Sequence, residues 1–285
     1  MSTPNSEGLK HWGSTGVAVP DLAGQYTLPP GSSGDLDRRE LLADVQTALY
    51  NAVGSAQRAP LMPDATDNAV HQLVVANSAL VASESEAFLT LISIGLGAPA
   101  EIHLRAVGEM TRRVVLCREH RALALELYNS AEPSWRKMAS KLPVSDAPEF
   151  LKGEQDMRAL EQTPRFKAAQ KDVIDRFHVL NEMEWGMWSK RSHGDIYALV
   201  QVSQNMRDRD ADIRAACSQT LPADLSTNVM LNRATGFVLT CFANIVAEFG
   251  IQTKGRAQTI FDKYKAMQER DEESGALRIK ATTAS

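Results

Sequence analysis

TDNAVHQLVVANSALVASESEAFLTLISI, residues 66–94, decides the fold. Val70, Leu73, Val74, Leu80, Val81, Phe88, Leu91 and Ile92 recur at helical spacing within it. That is the period of a helix with one apolar face, and no part of it alternates as a strand would. Thr66 or Asp67 is placed to cap its N-terminus, and Gly95, Gly97 and Pro99 break the pattern behind it. Asn77 and Glu84 interrupt the apolar stripe at the same spacing. A carboxylate on such a face needs a partner, because an unpaired buried charge is costly.

The same period extends outward on both sides. Leu41, Leu42, Val45, Leu49 and Val53 predict a helix from Asp35 to Gln57, ended by Pro60 and Pro63. A third helix is expected from Pro99 or Ala100 to Tyr128, its apolar face centred on Ile102, Ala106, Met110, Val114 and Cys117. Asn129 and Ser130 should break it, with a short helix following to Met138. Prolines punctuate residues 141–164, leaving room for one short helix. Further helices are predicted from Pro164 to His193, carrying Phe166, Val173 and Ile174, and from Ile196 to Met206. The final two run from Ser226 to Phe249, stopped by Gly250, and from Arg256 to Glu272.

The expected fold class is therefore all-α: a bundle of long antiparallel helices with shorter ones packed around them. Residues 1–34, rich in Ser, Gly and Pro, are expected to be a flexible tail; 35–272 a single helical domain; and 273–285 a second tail. With 31 Lys and Arg against 35 Asp and Glu, the chain lacks the broad basic surface of a nonspecific nucleic-acid binder. Its three cysteines, Cys117, Cys217 and Cys241, form no CxxC pair and fit no disulfide framework. Apolar stretches near residues 87–100 and 237–247 are too short or too interrupted to span a bilayer, and no leader pattern opens the chain. Cytoplasmic location without a membrane partner is the expectation.

Two polar patches stand beside apolar stripes. On the third helix Arg105 and Glu109 share one side, four residues apart. Arg before Glu is the weaker order for helix stability, so the pair invites another use. On the later helix Ser189, Ser192 and His193 flank the face of Trp185, next to Trp188. An imidazole there can accept a proton near neutral pH, and Arg105 could hold developing negative charge. The candidate catalytic residues are His193, Arg105, Glu109 and Ser189. The candidate binding residues are Glu84, Asn77, Ser192 and Trp188, with Arg105 the expected partner of Glu84. No phosphate-binding loop, dinucleotide fingerprint, HExxH or nucleophile elbow is present, and the histidines give no ligand pair at helical spacing, so neither metal nor cofactor is expected.

Arg105 with Glu109, followed by Trp185 or Trp188 with Ser189 and His193, resembles a bacterial all-helical family known only as a domain of unknown function. That family is in turn similar to the HEPN superfamily of helical bundles. The resemblance implies a HEPN-like bundle, a homodimer, and for many members metal-independent ribonuclease activity in toxin–antitoxin or phage-defence systems. The superfamily signature places an Arg shortly before a His. Here Arg191 precedes His193 by two positions, and Arg113 and His120 have the wider spacing. Two functions stay open: a binding or regulatory module of a stress or phage-defence system with a protein partner, and a ribonuclease or nucleotide-acting effector using His193 and Arg105 on RNA or a nucleotide.

Overall fold

The computed structural model describes residues 33–60, 62–93, 97–139, 148–176 and 223–273. Among them are eight helices: α1 (Ser33–Ala56), α2 (Ala65–Ser93), α3 (Gly97–Glu119), α4 (Arg121–Ala139), α5 (Pro148–Glu161), α6 (Pro164–Arg176), α7 (Ala223–Phe249) and α8 (Arg256–Glu273). No strand occurs among the described residues, and the all-α bundle read from the sequence is the fold.

Helices α1, α2, α3 and α7 form the centre. α2 packs on both α1 and α3, while α7 packs on all three. Phe88 and Phe237 are almost wholly buried between them, with Leu42, Leu49, Leu104, Leu231 and Ile245. Each such side chain contributes roughly 1.5–3 kcal/mol of burial energy. α4 lies against α2 and α5, α6 against α3, and α8 against α1 and α7.

Polar contacts fix the directions. Glu84 meets His103, 19 residues apart, and Asp67 meets Arg121, 54 apart. The growing separation makes α2 and α3 an antiparallel hairpin. Thr111 to Phe237, Arg118 to Asn244 and Arg121 to Glu248 instead keep a near-constant offset of 126 or 127 residues. α7 therefore runs parallel to α3, which periodicity alone cannot reveal. The sequence expectation of antiparallel neighbours holds for the hairpin and not for this pair.

Helix ends show where local reading succeeded and failed. Asp64, rather than Thr66 or Asp67, caps α2: its Oδ1 accepts from the Asp67 amide at 2.9 Å. Gly250 ends α7 with φ of 59°, and the Ile251 amide turns back to the Val246 carbonyl at 3.0 Å. That left-handed closure is what a glycine permits. The third helix does not continue to Tyr128. It stops at His120, whose carbonyl accepts from both Leu123 and Ala124 at 2.8 and 3.1 Å, restarting the chain as α4. Asn129 and Ser130 then lie inside α4, the Ser130 hydroxyl bonding the Glu126 carbonyl at 2.9 Å.

The buried face of α3 also differs from the expected one. Leu104, Val107, Gly108, Thr111 and Val115 face the core, together with a wholly buried Glu101. Ile102 is 46% exposed on the opposite side. Val114 and Cys117 are buried as expected and Met110 is partly so, but small and polar residues occupy the inner face nearer the N-terminus, where counting large apolar side chains misleads. Leu80 and Ile174, expected on apolar stripes, are likewise exposed. Within α7, Thr227–Phe249 is apolar and long enough to cross a membrane by length and composition, longer than the stretch read from sequence, but 67% of its apolar window is buried in the bundle.

Candidate functional site

Turning α3 away from its expected orientation brings a polar ridge to the front. At 100° per residue, Arg105, Glu109, Arg112 and Arg113 fall on one side of the helix. They face the corner where α5 turns into α6. Thr163 builds that corner: its hydroxyl accepts from the Phe166 amide at 3.3 Å and donates to the Leu160 carbonyl at 2.7 Å. Pro164 fits the first position of α6. Phe166 is thereby seated in the core with 1% exposure.

Between ridge and corner lies a cleft of about 290 Å³. Glu109, Arg112 and Arg113 form one wall, Glu161 and Gln170 the other, and Leu116, Phe166, Val173 and Ile174 the apolar remainder. Arg113 Nη2 donates to Glu161 Oε1 at 2.8 Å. Arg105 Nε donates to Glu109 Oε1 at 2.9 Å. Burial pushes the Arg112 guanidinium down to about 10; Glu109 opposes this, and the positive charges of Arg105 and Arg113 add to it. Among the described residues of the wall there is no hydroxyl, thiol or imidazole. The described wall thus sets cationic and anionic side chains beside an apolar patch.

The residues singled out from sequence are only partly gathered here. Arg105 and Glu109 bond as their spacing allows, and Glu109 lines the cleft. Glu84 pairs with His103, not with the expected Arg105: its Oε2 lies 2.7 Å from His103 Nδ1. His103 is the residue of α3 that turns toward α2, whereas Arg105 lies two residues further round the helix. Asn77 is buried, and its amide nitrogen donates to the Leu73 carbonyl at 2.7 Å, serving its own helix. Trp188, Ser189, Ser192 and His193 lie outside the described residues. Arg112, Glu161 and Gln170 were not singled out. The adjacent pair Arg112-Arg113, one turn beyond Glu109, was the legible signal; Glu161 and Gln170 come near it only through the α5–α6 corner.

Arg113 and His120 line different clefts. His120 lies at the α3–α4 break, its Nε2 3.7 Å from Asp172 Oδ2 on α6. Glu119, His120 and Asp172 offer ligand atoms within 4.8 Å of one another, a set that a divalent cation could use. Glu119 and His120 are neighbours in the chain, but Asp172 reaches them only through packing of α6. No family model, curated protein or solved structure matches this chain.

Proposed function

We propose that this chain is a non-enzymatic helical binding and regulatory module, of the kind that serves a bacterial stress or phage-defence system as a homodimer with a protein partner. The observation that carries the reading is the cleft beside α3. It concentrates charge for recognition, and its described wall offers no nucleophile or imidazole. Arg105, the residue a nuclease would need to hold phosphate, is already engaged by Glu109.

A second reading rests on the resemblance and on the three arginines, Arg105, Arg112 and Arg113, of the same ridge. In it the chain is a HEPN-like, metal-independent ribonuclease, with His193 as acid and base and Arg105 on the phosphate. One experiment separates the two: cleavage of varied RNAs without metal by wild type, His193→Ala and Arg105→Ala. The module reading expects no cleavage by wild type. Cleavage that both folded variants lose would replace it with the nuclease.

A further inference from the structure

We propose that the break between α3 and α4 carries a binding site for one divalent transition-metal ion, zinc foremost, formed by Glu119 and His120 together with Asp172 of α6. The proposal goes beyond the module reading and does not depend on it.

Backbone geometry assembles the ligands. α3 ends at Glu119, and His120 is held at the junction from both sides. Its amide donates to the Leu116 carbonyl at 2.8 Å, and its own carbonyl accepts from Leu123 and Ala124. Glu119 and His120 therefore leave a fixed turn side by side. Asp172 arrives from α6, whose rotation is set by the buried side chains of Phe166, Ala169 and Val173. One ligand atom from each of the three lies within 4.8 Å of the other two. Histidine spacing predicts no such site, because the third ligand comes from another helix.

The imidazole supplies a second, independent argument. His120 Nε2 is shielded from solvent and has no hydrogen-bond partner among the described residues. A polar atom in that state is costly. Asp172 Oδ2 stands 3.7 Å away, too far for a hydrogen bond. With metal–ligand bonds of roughly 2.0–2.2 Å, the ligand atoms of a tetrahedral zinc site stand about 3.3–3.6 Å apart. An ion between these two groups needs only a small closing movement.

Donor chemistry selects the ion. One imidazole with two carboxylates suits zinc, with cobalt behind it, whereas magnesium and calcium prefer all-oxygen sites. Glu119 and Asp172 have further interactions within the chain, and a carboxylate with two oxygens can keep one while coordinating. All three residues line a cleft of about 520 Å³, which admits water at the fourth position. Two arginines border the same cleft, but carboxylates outside the cluster hold them: Asp67 and Glu248 hold Arg121, and Glu126 holds Arg165. A bound ion ties α6 to the α3–α4 junction.

The test uses the full chain, freed of metal with a chelator, in calorimetry and visible absorption. Zinc chloride should bind saturably at one equivalent, with Kd on the order of 1–10 μM. Magnesium chloride should bind at least about a hundredfold more weakly. Cobalt(II) should develop visible absorption that zinc abolishes by displacement. His120→Ala and Asp172→Asn should each weaken zinc binding about tenfold or more. Asp172 is 58% exposed, so its variant keeps the fold, which circular dichroism checks. His103→Ala, which removes an imidazole paired with Glu84 on α2, should leave zinc affinity unchanged. Zinc should also raise the urea midpoint of wild type and not that of Asp172→Asn. No saturable zinc binding tighter than about 0.1 mM overturns the proposal. So does zinc binding that folded His120→Ala and Asp172→Asn leave unchanged, which places the ion elsewhere. Metal-free RNA cleavage bears on the module reading alone, and neither result there alters what zinc binding decides here.

Discussion

Arg121 Nη1 lies 2.9 Å from Glu248 Oε1, tying the start of α4 to the last turn of α7. Its other nitrogen bonds Asp67 Oδ1 at 2.5 Å, in the first turn of α2. Burial would lower the Arg121 pKa, but hydrogen bonds to Asp67 and Glu248 outweigh it and raise it. Glu248 also lies 3.4 Å from His71 Nε2 and 3.7 Å from Arg118 Nε, with its side chain only 8% exposed. One carboxylate thus joins the ends of α2, α3, α4 and α7.

Replacing Glu248 with Ala should therefore cost stability well beyond a surface pair. Its removal leaves Arg118, Arg121 and His71 crowded without their shared counter-charge, a loss on the order of 3 kcal/mol. Urea denaturation reads it directly. Lys263, exposed and 3.1 Å from Asp44, is the comparison, and Lys263→Ala should barely move the midpoint. Equal midpoints for Glu248→Ala and wild type would reduce the network to decoration.

The thiols give a second prediction. Burial pushes Cys117 and Cys241 up to about 12, Arg113 opposing it slightly at the first and the Ser78 hydroxyl at the second. At pH ~8 neither should exist as thiolate, the form that reacts. In a Cys217→Ser background, a disulfide reagent should find no fast thiol in the native protein and two after denaturation. Folding raises these acids above their usual value of 9.0. Their contribution to stability is complete below that value and is lost as pH climbs toward about 12. Cys241→Ala should flatten the fall in stability over this window; an unchanged slope would assign the alkaline loss elsewhere.

Close packing of α7 on α8 supplies a third. A Cβ on Gly236 would come within 2.8 Å of the Tyr264 hydroxyl oxygen, which accepts from Gln268 at 2.8 Å. Alanine gains roughly 1 kcal/mol of helix propensity over glycine, and overpacking costs about 1–3 kcal/mol. Gly236→Ala should thus destabilise wild type or leave it even, and stabilise the protein once Tyr264→Phe has removed the oxygen. The difference between backgrounds is expected to be on the order of 1 kcal/mol in a double-mutant cycle. Strict additivity would mean that the hydroxyl moves aside freely.

These contacts also show what the sequence could and could not disclose. Spacing alone placed α1, α2, α7 and α8 within a few residues, because large apolar side chains dominate their buried faces. α3 is legible only in part: Val114 and Cys117 are buried as their spacing predicts, while Glu101, Gly108 and Thr111 stand on the inner face where Leu stands elsewhere. Glu84 was rightly suspected of needing a partner, but the choice of His103 over Arg105 depends on the rotation of one helix against another. Parallel packing of α7 on α3 depends on connections far longer than any periodic window.

Arg112 offers the sharpest test of a buried charge. Burial first, then repulsion from Arg105 and Arg113, depress its pKa from the ordinary guanidinium value to about 10 despite Glu109. Folding therefore disfavours its charged form. The sign follows: stability belonging to this group is present above the unfolded value and lost as pH falls through about 10, so at neutral pH the charge is a standing cost. Arg112→Met keeps the length of the side chain and removes that charge. In low salt it should raise stability against urea, by an amount on the order of 1 kcal/mol after allowing for solvent at the cleft mouth. A variant less stable than wild type would show that Arg112 is held for packing, and that its charge is already met within the folded chain.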